Sequence, residues 1–503
     1  MDSSHLPSGA DHDDTGNEHA GDAMQARDAA VPLVVDMDGT LLLTDTLHEG
    51  VLALLRRQPR ACLSLPGWLL RGRAGFKAAI ADRVSPDAEY LPYNEALLAR
   101  LREEAPRRRL VLCTAADARV AQAIARHLGL FDEVIASEDG RNLKAAEKAR
   151  ALSARFGERG FDYAGNDTAD LPVFAAARRA WVVDPSPGLR ARLGRVTNID
   201  ARFPGHAASR PGSIVRALRV HQWVKNVLVF VPLLATLQQG TWETVLQSLL
   251  AFVAFCLVCS SVYIVNDLLD LGADRRHPRK RLRPFASGAL PIATGVKLLP
   301  LLVVLGFGIA SLTAPWFVPM LAIYYVSNWL YTFWLKRVPL LDAIMLAGMY
   351  TLRILGGAAA IDVVPSFWLL AFSMFFFLSL AMAKRHSELV ELEGMDTGSA
   401  IPGREYRPED LNTLIAQGSA SGYSAVLVLA LYINSEAVQV QYRHPEIIWL
   451  ICPLLLYWIN KLWLNSQRRE ITEDPLIWAA TNRVSRAVAL LCVGLLLLAK
   501  LLP

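Results

Sequence analysis

The stretch Asn266-Asp-Leu-Leu-Asp-Leu-Gly-Ala-Asp-Arg275 lies directly after an apolar run, and a dense basic stretch follows it at residues 276–284. On a helix, Asp267, Asp270 and Asp274 fall within an arc of about 60°, because successive residues turn by about 100°. Three such carboxylates repel one another and need a cation. Mg²⁺ suits them, since it binds carboxylate oxygens and keeps positions for water and phosphate oxygens. The stretch therefore predicts a site for a magnesium-bound diphosphate at the end of a membrane span.

The composition divides the chain of 503 residues into two unlike parts, which the overall hydrophobic content of 53% and the net charge of +5 conceal. Residues 1–30 are polar and lack apolar periodicity, so we expect a disordered tail without a signal peptide. Residues 31–200 have the composition of a soluble domain. Proline, glycine and basic residues at 201–213 predict a linker, and long apolar runs recur through residues 214–503.

The six cysteines predict no disulfide framework, because two are isolated in the soluble part and four lie in apolar runs. Cys256 and Cys259 have the spacing of a metal-binding pair, but neither a second pair nor histidines lie near them in the sequence. A reducing cytoplasm is therefore expected for residues 31–200. We expect no nucleic acid among the partners of this chain.

Regular structure is expected from the short apolar run at residues 31–35, which predicts a buried strand that ends at Asp36-Met-Asp38. Similar runs at residues 110–114 and 161–165 predict two further strands, with helical segments between the strands. This alternation predicts a Rossmann-like α/β domain with a parallel sheet. Ligands of such sheets gather at the carboxyl ends of the strands.

The residues at these strand ends suit phosphoryl chemistry. Asp36 could attack a phosphoryl group as a nucleophile, and Asp38 could handle the proton of the leaving group. Thr114, at the end of the second strand, would hold phosphoryl oxygens. Asp36, Asp38 and Asp170 would hold Mg²⁺ through their carboxylate oxygens. These residues predict a phosphohydrolase site.

The order of these elements resembles that of the haloacid dehalogenase superfamily of phosphohydrolases. In that superfamily a lysine also holds phosphoryl oxygens, and we assign this role to Lys144. Lys148 is the alternative lysine, which can equally be a solvated charge on a helix. The resemblance covers about residues 31–200, and residues 60–100 would be its helical cap or insertion, which restricts access to the site. One motif departs from the family pattern, because Gly165 precedes Asn166 where the family has an aspartate. A fold that is kept without its chemistry is therefore the alternative.

Nine apolar runs of about the ~20 residues that cross a bilayer follow residue 214. Lysine and arginine are concentrated in the loops after the even-numbered runs, whereas the loops after the odd-numbered runs hold a single arginine, Arg443. Because positive loops stay in the cytoplasm, we expect a multi-pass protein of the inner membrane, with the amino-terminal domain inside and the carboxyl terminus outside. The predicted spans lie at about 222–239, 245–266, 291–312, 315–334, 341–360, 364–383, 415–434, 446–465 and 485–502.

Further polar residues lie inside or at the cytoplasmic ends of these spans. Lys225 and Asn226 fall within the first span and Arg353 within the fifth, where a charged side chain is expensive and needs a partner or a function. For Arg353 we expect Asp342, a substrate phosphate or a backbone carbonyl as the partner. Lys384 ends the sixth span and could instead serve only to set the topology.

Together these motifs resemble the UbiA superfamily of intramembrane prenyltransferases over about residues 213–503. The pattern Asn-Asp-x-x-Asp-x-x-x-Asp-Arg at the end of the second span carries the resemblance to the superfamily. A set of shorter motifs is similar to its decaprenyl-phosphate phosphoribosyltransferase branch. These motifs are Gln222-Trp-Val-Lys-Asn226, Asp274-Arg-x-His-Pro-x-Lys-Arg-x-Arg-Pro284, Tyr331-x-x-x-x-Lys336, Arg353-x-x-x-Gly357 and Lys384-Arg-x-x-Glu388.

The resemblance implies transfer of 5-phosphoribose from phosphoribosyl diphosphate to a polyprenyl phosphate in the membrane lipid, with Mg²⁺ on Asp267, Asp270 and Asp274. The second aspartate-rich motif of the superfamily is not evident, and Tyr331 with Lys336 stands in its place. The implied substrate-binding residues are Lys225, Asn226, Asn266, Arg275, Lys280, Arg281, Arg283, Tyr331, Lys336, Arg353 and Lys384.

Two other functions stay open at this point. The chain could transfer a prenyl group from a prenyl diphosphate to an aromatic or other acceptor. It could also be a transporter, although its polar groups gather at one membrane face and transporter sites lie near the midplane. The fusion itself suggests that the first domain removes a phosphate from the product of the second, since a phosphoribosylated lipid carries a phosphomonoester.

Overall fold

A computed structural model describes residues 31–138, 142–185, 187–205, 211–235, 241–393, 405–471 and 474–501. The tail predicted at residues 1–30 lies outside these ranges. The chain divides into two compact units. The first unit joins the residues up to Ala217 with the segment Asp267–Val296, and the second joins Leu218–Asn266 with the residues from Lys297 onward. The acidic motif therefore belongs to the first unit.

The first unit is built on a parallel sheet of six strands in the order β3-β2-β1-β4-β5-β6. Val34 in the central strand pairs with Val111 on one side and with Tyr163 on the other. The predicted α/β fold is confirmed. The strands are β1 Leu33–Val35, β2 Leu110–Asp117, β3 Glu133–Ser137, β4 Asp162–Gly165, β5 Arg179–Val183 and β6 Asn198–Phe203.

Both faces of this sheet are covered, which explains why its central strands are continuous apolar runs and do not alternate. Leu33 and Val35 belong to one hydrophobic cluster, and Val34 belongs to another on the opposite face. The helices of this part are α1 Thr46–Arg57, α2 Leu65–Leu69, α3 Gly72–Ala81, α4 Glu95–Glu104, α5 Ala118–Leu128, α6 Ala146–Phe156, α7 Leu171–Ala176, α8 Pro187–Leu193 and α9 Pro211–Ala217. The region predicted as the cap, residues 60–100, contains α2 and α3 and reaches into α4.

The second unit is helical and apolar, as predicted. From residue 231 the helices are α10 Val231–Ala235, α11 Trp242–Leu269, α12 Leu271–Arg276, α13 Ile292–Ala310, α14 Phe317–Phe333, α15 Leu341–Ala360, α16 Phe367–Glu393, α17 Leu411–Ile433, α18 Glu436–Gln441, α19 Pro445–Ile448, α20 Ile451–Gln467, α21 Pro475–Thr481 and α22 Arg483–Leu501. Helices α12 and the start of α13 lie in the segment that belongs to the first unit.

The predicted count of nine spans is not confirmed. Within the described residues, six helices are long and apolar enough to cross a membrane, or seven if the pair α21 and α22, bent by 79°, forms one span. The described part of the first predicted span consists of a 3₁₀ helix over Val220–Phe230 followed by α10, and the fourth predicted span is α14, with 17 residues. A span predicted from hydropathy thus need not be one long regular helix.

The acidic motif does not lie on one continuous helix. Helix α11 ends at Leu269, and α12 begins at Leu271. Asp270 sits between them with φ −96° and ψ 7°, while its carbonyl still accepts from the amide of Asp274 at 2.8 Å. The motif is therefore interrupted at Asp270, whose carboxylate pairs with Arg56, a residue of α1.

Candidate functional site

The polar residues predicted at the strand ends of the first unit line one cavity of about 610 Å³. Asp36 directly follows β1, Thr114 lies in β2, and Asn166 follows β4. Because these strands are parallel neighbours, their carboxyl ends meet at one edge of the sheet. Apolar side chains of the cap close part of the cavity. They include Leu69, Phe76 and Ile80.

Lys148 contacts the proposed nucleophile, whereas Lys144 does not in the contacts that the structure gives. The Nζ of Lys148 donates to Asp36 Oδ1 at 2.6 Å and to the hydroxyl of Tyr163 at 3.0 Å, and it lies 3.8 Å from Asp170 Oδ1. Lys148 is only 2% exposed, so its interpretation as a solvated helix charge is wrong. Lys144 is exposed in the loop before α6, although it also lines the cavity.

The electrostatics of this cavity favour a charged Lys148 and raise the pKa of the Asp38 and Asp170 carboxyl groups. Burial alone would lower the pKa of Lys148, but Asp36 and Asp170 raise it above its usual value. Burial and the Asp45 carboxylate raise the pKa of Asp38 to about 7, although Asp38 accepts from the amide of Thr46 at 2.9 Å. Asp38 can therefore carry a proton near neutral pH, as a general acid requires.

Asn166, the departure from the family pattern, packs tightly into the site. The hydroxyl of Thr40 lies 3.3 Å from Asp36 Oδ2 and 3.2 Å from the Asn166 side-chain oxygen, toward both of which it can donate. Gly39 has φ +77°, and a Cβ there would collide with the Asn166 amide. The turn after β1 thus needs glycine for its conformation and for the approach of Asn166.

Mg²⁺ would find oxygen donors of the right chemistry in this cavity, on Asp36, Asn166 and Asp170. In the structure, however, the Asp36 and Asp170 carboxylates face the ammonium of Lys148. Among the described residues, no group of three or more His, Cys, Asp or Glu side chains is arranged to hold a metal ion. The oxygen ligands in this cavity therefore suit Mg²⁺. In the arrangement that the structure shows, however, Lys148 neutralises the Asp36 nucleophile.

In the acidic motif, two carboxylates converge on one cation. Arg283 Nη1 donates to Asp274 Oδ2 at 2.6 Å and to Asp267 Oδ1 at 3.2 Å. Asp270 instead accepts from Arg56 Nη1 at 2.6 Å, and the same nitrogen donates to the Leu269 carbonyl at 2.8 Å. Every aspartate of the motif is thus paired with a guanidinium group. Carboxylate oxygens are the donors that Mg²⁺ prefers, and Asp267 and Asp274 already share one cation.

The basic stretch of the motif has several roles. Arg275, predicted to bind substrate, forms a buried ion pair with Glu49, with Nη2 to Oε1 at 2.5 Å and Nη1 to Oε2 at 3.1 Å. A direct contact of Arg275 with phosphate would require that pair to break. Lys280 and Arg281 are exposed on a single 3₁₀ turn, where they are accessible to a soluble anion.

In the second unit, two predicted lysines meet at a carboxylate that the sequence analysis did not assign. Lys225 Nζ and Lys384 Nζ donate to Asp474 Oδ2 at 2.7 and 2.9 Å. The hydroxyl of Tyr350 donates to the same carboxylate at 3.1 Å, and the side chain of Asp474 is 6% exposed. Two ammonium groups and one carboxylate leave this buried cluster with a net positive charge.

Arg353 is held by neutral oxygens. Its Nε donates to Asn226 Oδ1 at 2.9 Å, and its Nη2 donates to the hydroxyl of Tyr324 at 2.7 Å. Its Nη1 donates to the carbonyl of Met349 at 2.8 Å. Of the three partners expected for Arg353, the structure thus shows the backbone carbonyl. The positive charge of Arg353 is not matched there by an acidic side chain in these contacts.

Asp342, another expected partner of Arg353, pairs instead with Arg385. Arg385 Nε lies 2.5 Å from Asp342 Oδ2, and its Nη2 donates to the hydroxyl of Tyr331 at 2.7 Å. Asn266 accepts from the hydroxyl of Thr332 at 3.0 Å. Lys336 is half-buried on the 3₁₀ turn Leu335–Arg337. Tyr331, which was predicted to act together with Lys336, thus accepts a hydrogen bond from Arg385.

Four residues of these contacts were missed as site residues: Glu49, Arg56, Arg385 and Asp474. The first two lie on α1 of the first unit and carry no motif of their own. Arg385 and Asp474 had a signal, because a charge inside or beside a span needs a partner. That signal indicates only that each of them is paired, because Asp474 lies 249 and 90 positions from the two lysines that it binds.

Comparison with known proteins gives two family matches along the chain. The model of the UbiA prenyltransferase family matches residues 227–478. The model of the haloacid dehalogenase-like hydrolases matches residues 33–175.

Two relatives and one solved structure place these matches in context. An uncharacterized protein of Sinorhizobium fredii, y4nM, is 36% identical over 464 residues, which are 91% of this chain and 89% of that protein. The decaprenyl-phosphate phosphoribosyltransferase of Corynebacterium glutamicum is 34% identical over 181 residues, 35% of this chain and 54% of that protein. A UbiA homolog from Archaeoglobus fulgidus, bound to GPP and Mg²⁺, aligns with a TM-score of 0.42 and 14% identity over 56% of this chain and 99% of its own.

The pairing of Lys148 with Asp36 gives a testable prediction. Lys148→Met leaves the buried Asp36 carboxylate without its ammonium partner, which costs about 3–5 kcal/mol of folding free energy. Lys144→Met, at an exposed loop position, should change that free energy by less than about 0.5 kcal/mol. Hydrogen exchange of the β1 peptide in the full-length protein measures both effects. Equal protection of β1 in the two variants would contradict the assignment of Lys148.

Proposed function

Since this chain belongs to the UbiA prenyltransferase family and carries a haloacid dehalogenase-like hydrolase domain ahead of the matched region, we propose that it is a multi-pass membrane transferase for phosphoribose. The donor is phosphoribosyl diphosphate, and the acceptor is a polyprenyl phosphate. The first domain then removes the phosphomonoester from the product. In this proposal the soluble donor reaches the protein from the cytoplasm, on the same side as the first domain, and the lipid acceptor reaches it from the membrane.

The observation that carries this proposal is the convergence of Asp267 and Asp274 on a single guanidinium nitrogen. Carboxylates placed to share one cation can share a metal ion. Mg²⁺ held by Asp267, Asp270 and Asp274 would supply the positive charge that neutralises a departing diphosphate. Arg283, Lys280 and Arg281 would then be available for further phosphate oxygens.

The positive cluster in the second unit supports a phosphorylated acceptor. Lys225 and Lys384 outnumber the Asp474 carboxylate between them, so the cluster can accept a further anion. A lipid phosphate is such an anion, and its oxygen is ionised at neutral pH. It can therefore attack the anomeric carbon of the donor without a strong general base. The C–O bond to diphosphate breaks as the new C–O bond forms.

Relatives support this choice of donor. Decaprenyl-phosphate phosphoribosyltransferases of Corynebacterium and of two mycobacteria are 34–36% identical to this chain over 35–39% of its length. The family description itself favours a second candidate, transfer of a prenyl group from a prenyl diphosphate to a lipid or aromatic acceptor. Both candidate reactions would use the acidic motif. They differ in the donor that binds there, which is phosphoribosyl diphosphate in the first and a prenyl diphosphate in the second.

The first domain would act on the phosphomonoester that the transfer reaction leaves on the ribose. An Asp36 oxygen attacks phosphorus and forms an aspartyl phosphate, while the ribose oxygen leaves with the proton of Asp38. Water then releases inorganic phosphate and restores Asp36. Thr114 and Lys148 would hold the phosphoryl oxygens, because both line the same cavity as Asp36.

The transfer step depends on the acidic motif, which gives the next prediction. Asp267→Asn should lower transfer of labelled ribose phosphate to polyprenyl phosphate by about 100-fold, since a charge that stabilises the transition state is lost. Asp362→Asn, which removes an exposed carboxylate from the loop after α15, is the matched control and should leave the rate unchanged. If the protein instead transfers a prenyl group from prenyl diphosphate and does not use phosphoribosyl diphosphate, the second candidate is correct.

The hydrolase step gives a separate prediction. Asp36→Asn should abolish the release of inorganic phosphate from the phosphoribosylated lipid and leave the formation of that lipid unchanged, because the nucleophile is needed only for the second step. Phosphate release and lipid formation are measured in the same reaction. If phosphate appears at the wild-type rate in the Asp36→Asn protein, the first domain does not act on this product.

A further inference from the structure

Helix α1 of the first unit holds the acidic motif segment through one of its faces. Glu49 and Arg56 are seven residues apart on α1, so they lie on the same side of the helix. Glu49 binds Arg275 through two hydrogen bonds of 2.5 and 3.1 Å, and the hydroxyl of Thr44 donates to Glu49 at 2.7 Å. Both side chains of this pair are less than a tenth exposed. The pair therefore anchors the segment to α1.

Further contacts fix the same segment. Arg276 Nη2 lies 2.6 Å from Asp87 Oδ2, and its guanidinium stacks over the ring of Tyr90. Gly288 has φ +72°, and a Cβ there would approach the Leu43 carbonyl to 2.7 Å. The backbone of the segment thus lies directly against the turn that precedes α1. These contacts hold Asp270 within reach of the far end of α1.

Arg56 differs from this attachment in its exposure. Its side chain is 42% exposed and that of its partner Asp270 is 31% exposed, whereas the Glu49–Arg275 pair is exposed by 8% and 7%. An exposed ion pair contributes little and exchanges its partners readily. Arg56 is therefore placed to release Asp270 without disturbing the attachment made by Glu49.

We propose that Arg56 is a binding residue for the diphosphate donor, contributed by the hydrolase-like domain to the transfer reaction. Arg56 holds Asp270 while the donor is absent. When a metal ion with its diphosphate takes the Asp270 carboxylate, the released guanidinium binds diphosphate oxygens, to which its planar donors are matched. This inference rests on the proposed metal-diphosphate role of Asp267, Asp270 and Asp274.

Two binding constants should change in opposite directions when Arg56 is removed. Without the competing guanidinium, Arg56→Ala should bind Mn²⁺ alone about two- to fivefold more tightly. The same variant should bind inorganic diphosphate, in the presence of saturating Mn²⁺, about fivefold or more weakly, because a charge-assisted contact is lost. Arg56→Lys keeps the charge and should recover part of the diphosphate affinity.

The measurement uses the purified full-length protein in detergent, with electron paramagnetic resonance of free Mn²⁺ and equilibrium binding of labelled diphosphate. Arg57→Ala removes the same charge from the neighbouring position of α1 and should leave both constants unchanged within about twofold. If Arg56→Ala and Arg57→Ala behave alike, or if both constants of Arg56→Ala weaken together, Arg56 is not a donor-binding residue.

A separate variant distinguishes failure of this inference from failure of the proposed function. Asp267→Asn should weaken Mn²⁺ binding in every background. If the wild-type and Asp267→Asn proteins bind Mn²⁺ equally, the metal site itself is refuted, and the proposed role of Arg56 is refuted with it. If Asp267→Asn does weaken Mn²⁺ binding while Arg56→Ala has no effect, only the role of Arg56 is refuted.

Discussion

The neutralisation of three carboxylates in one short segment is the constraint on which the account depends. Asp267 lies in the last turn of an apolar helix of 28 residues, and Asp270 and Asp274 follow that helix. Carboxylates so placed are costly without cations. The structure meets this requirement with Arg283 and Arg56. Arg56 lies more than 200 residues earlier in the chain, on a helix of the hydrolase-like domain. The acidic motif is thus electrostatically part of the first unit.

Local patterns in the sequence predicted most of the fold. The apolar runs that end at Asp36 and Thr114 became neighbouring strands, because a run buried on both faces needs no alternation. The helical region from α11 onward was also recognised from hydropathy. The count of nine spans is not confirmed, since composition does not distinguish a regular α helix from the 3₁₀ stretch Val220–Phe230. The break at Asp270 was missed for the same reason.

The sequence predicted many of the residues of the candidate site, but it did not predict which side chains pair with them. Lys144 and Lys148 differ in sequence only by one helical turn, and only the tertiary fold buries Lys148 against Asp36. The ion pairs of Arg275 with Glu49 and of Lys225 with Asp474 join residues 226 and 249 positions apart. Periodicity carries no information on such pairs. What the sequence does predict is that buried charges must be paired.

The central claim is that the acidic motif binds the donor through a divalent metal ion. Calorimetric titration of the full-length protein with phosphoribosyl diphosphate, in saturating Mg²⁺ and then in a chelator, tests it most directly. We expect saturable binding that requires Mg²⁺ and disappears when Asp267, Asp270 and Asp274 are all replaced by asparagine. Binding of equal strength in the chelator, or in the triple variant, would contradict it.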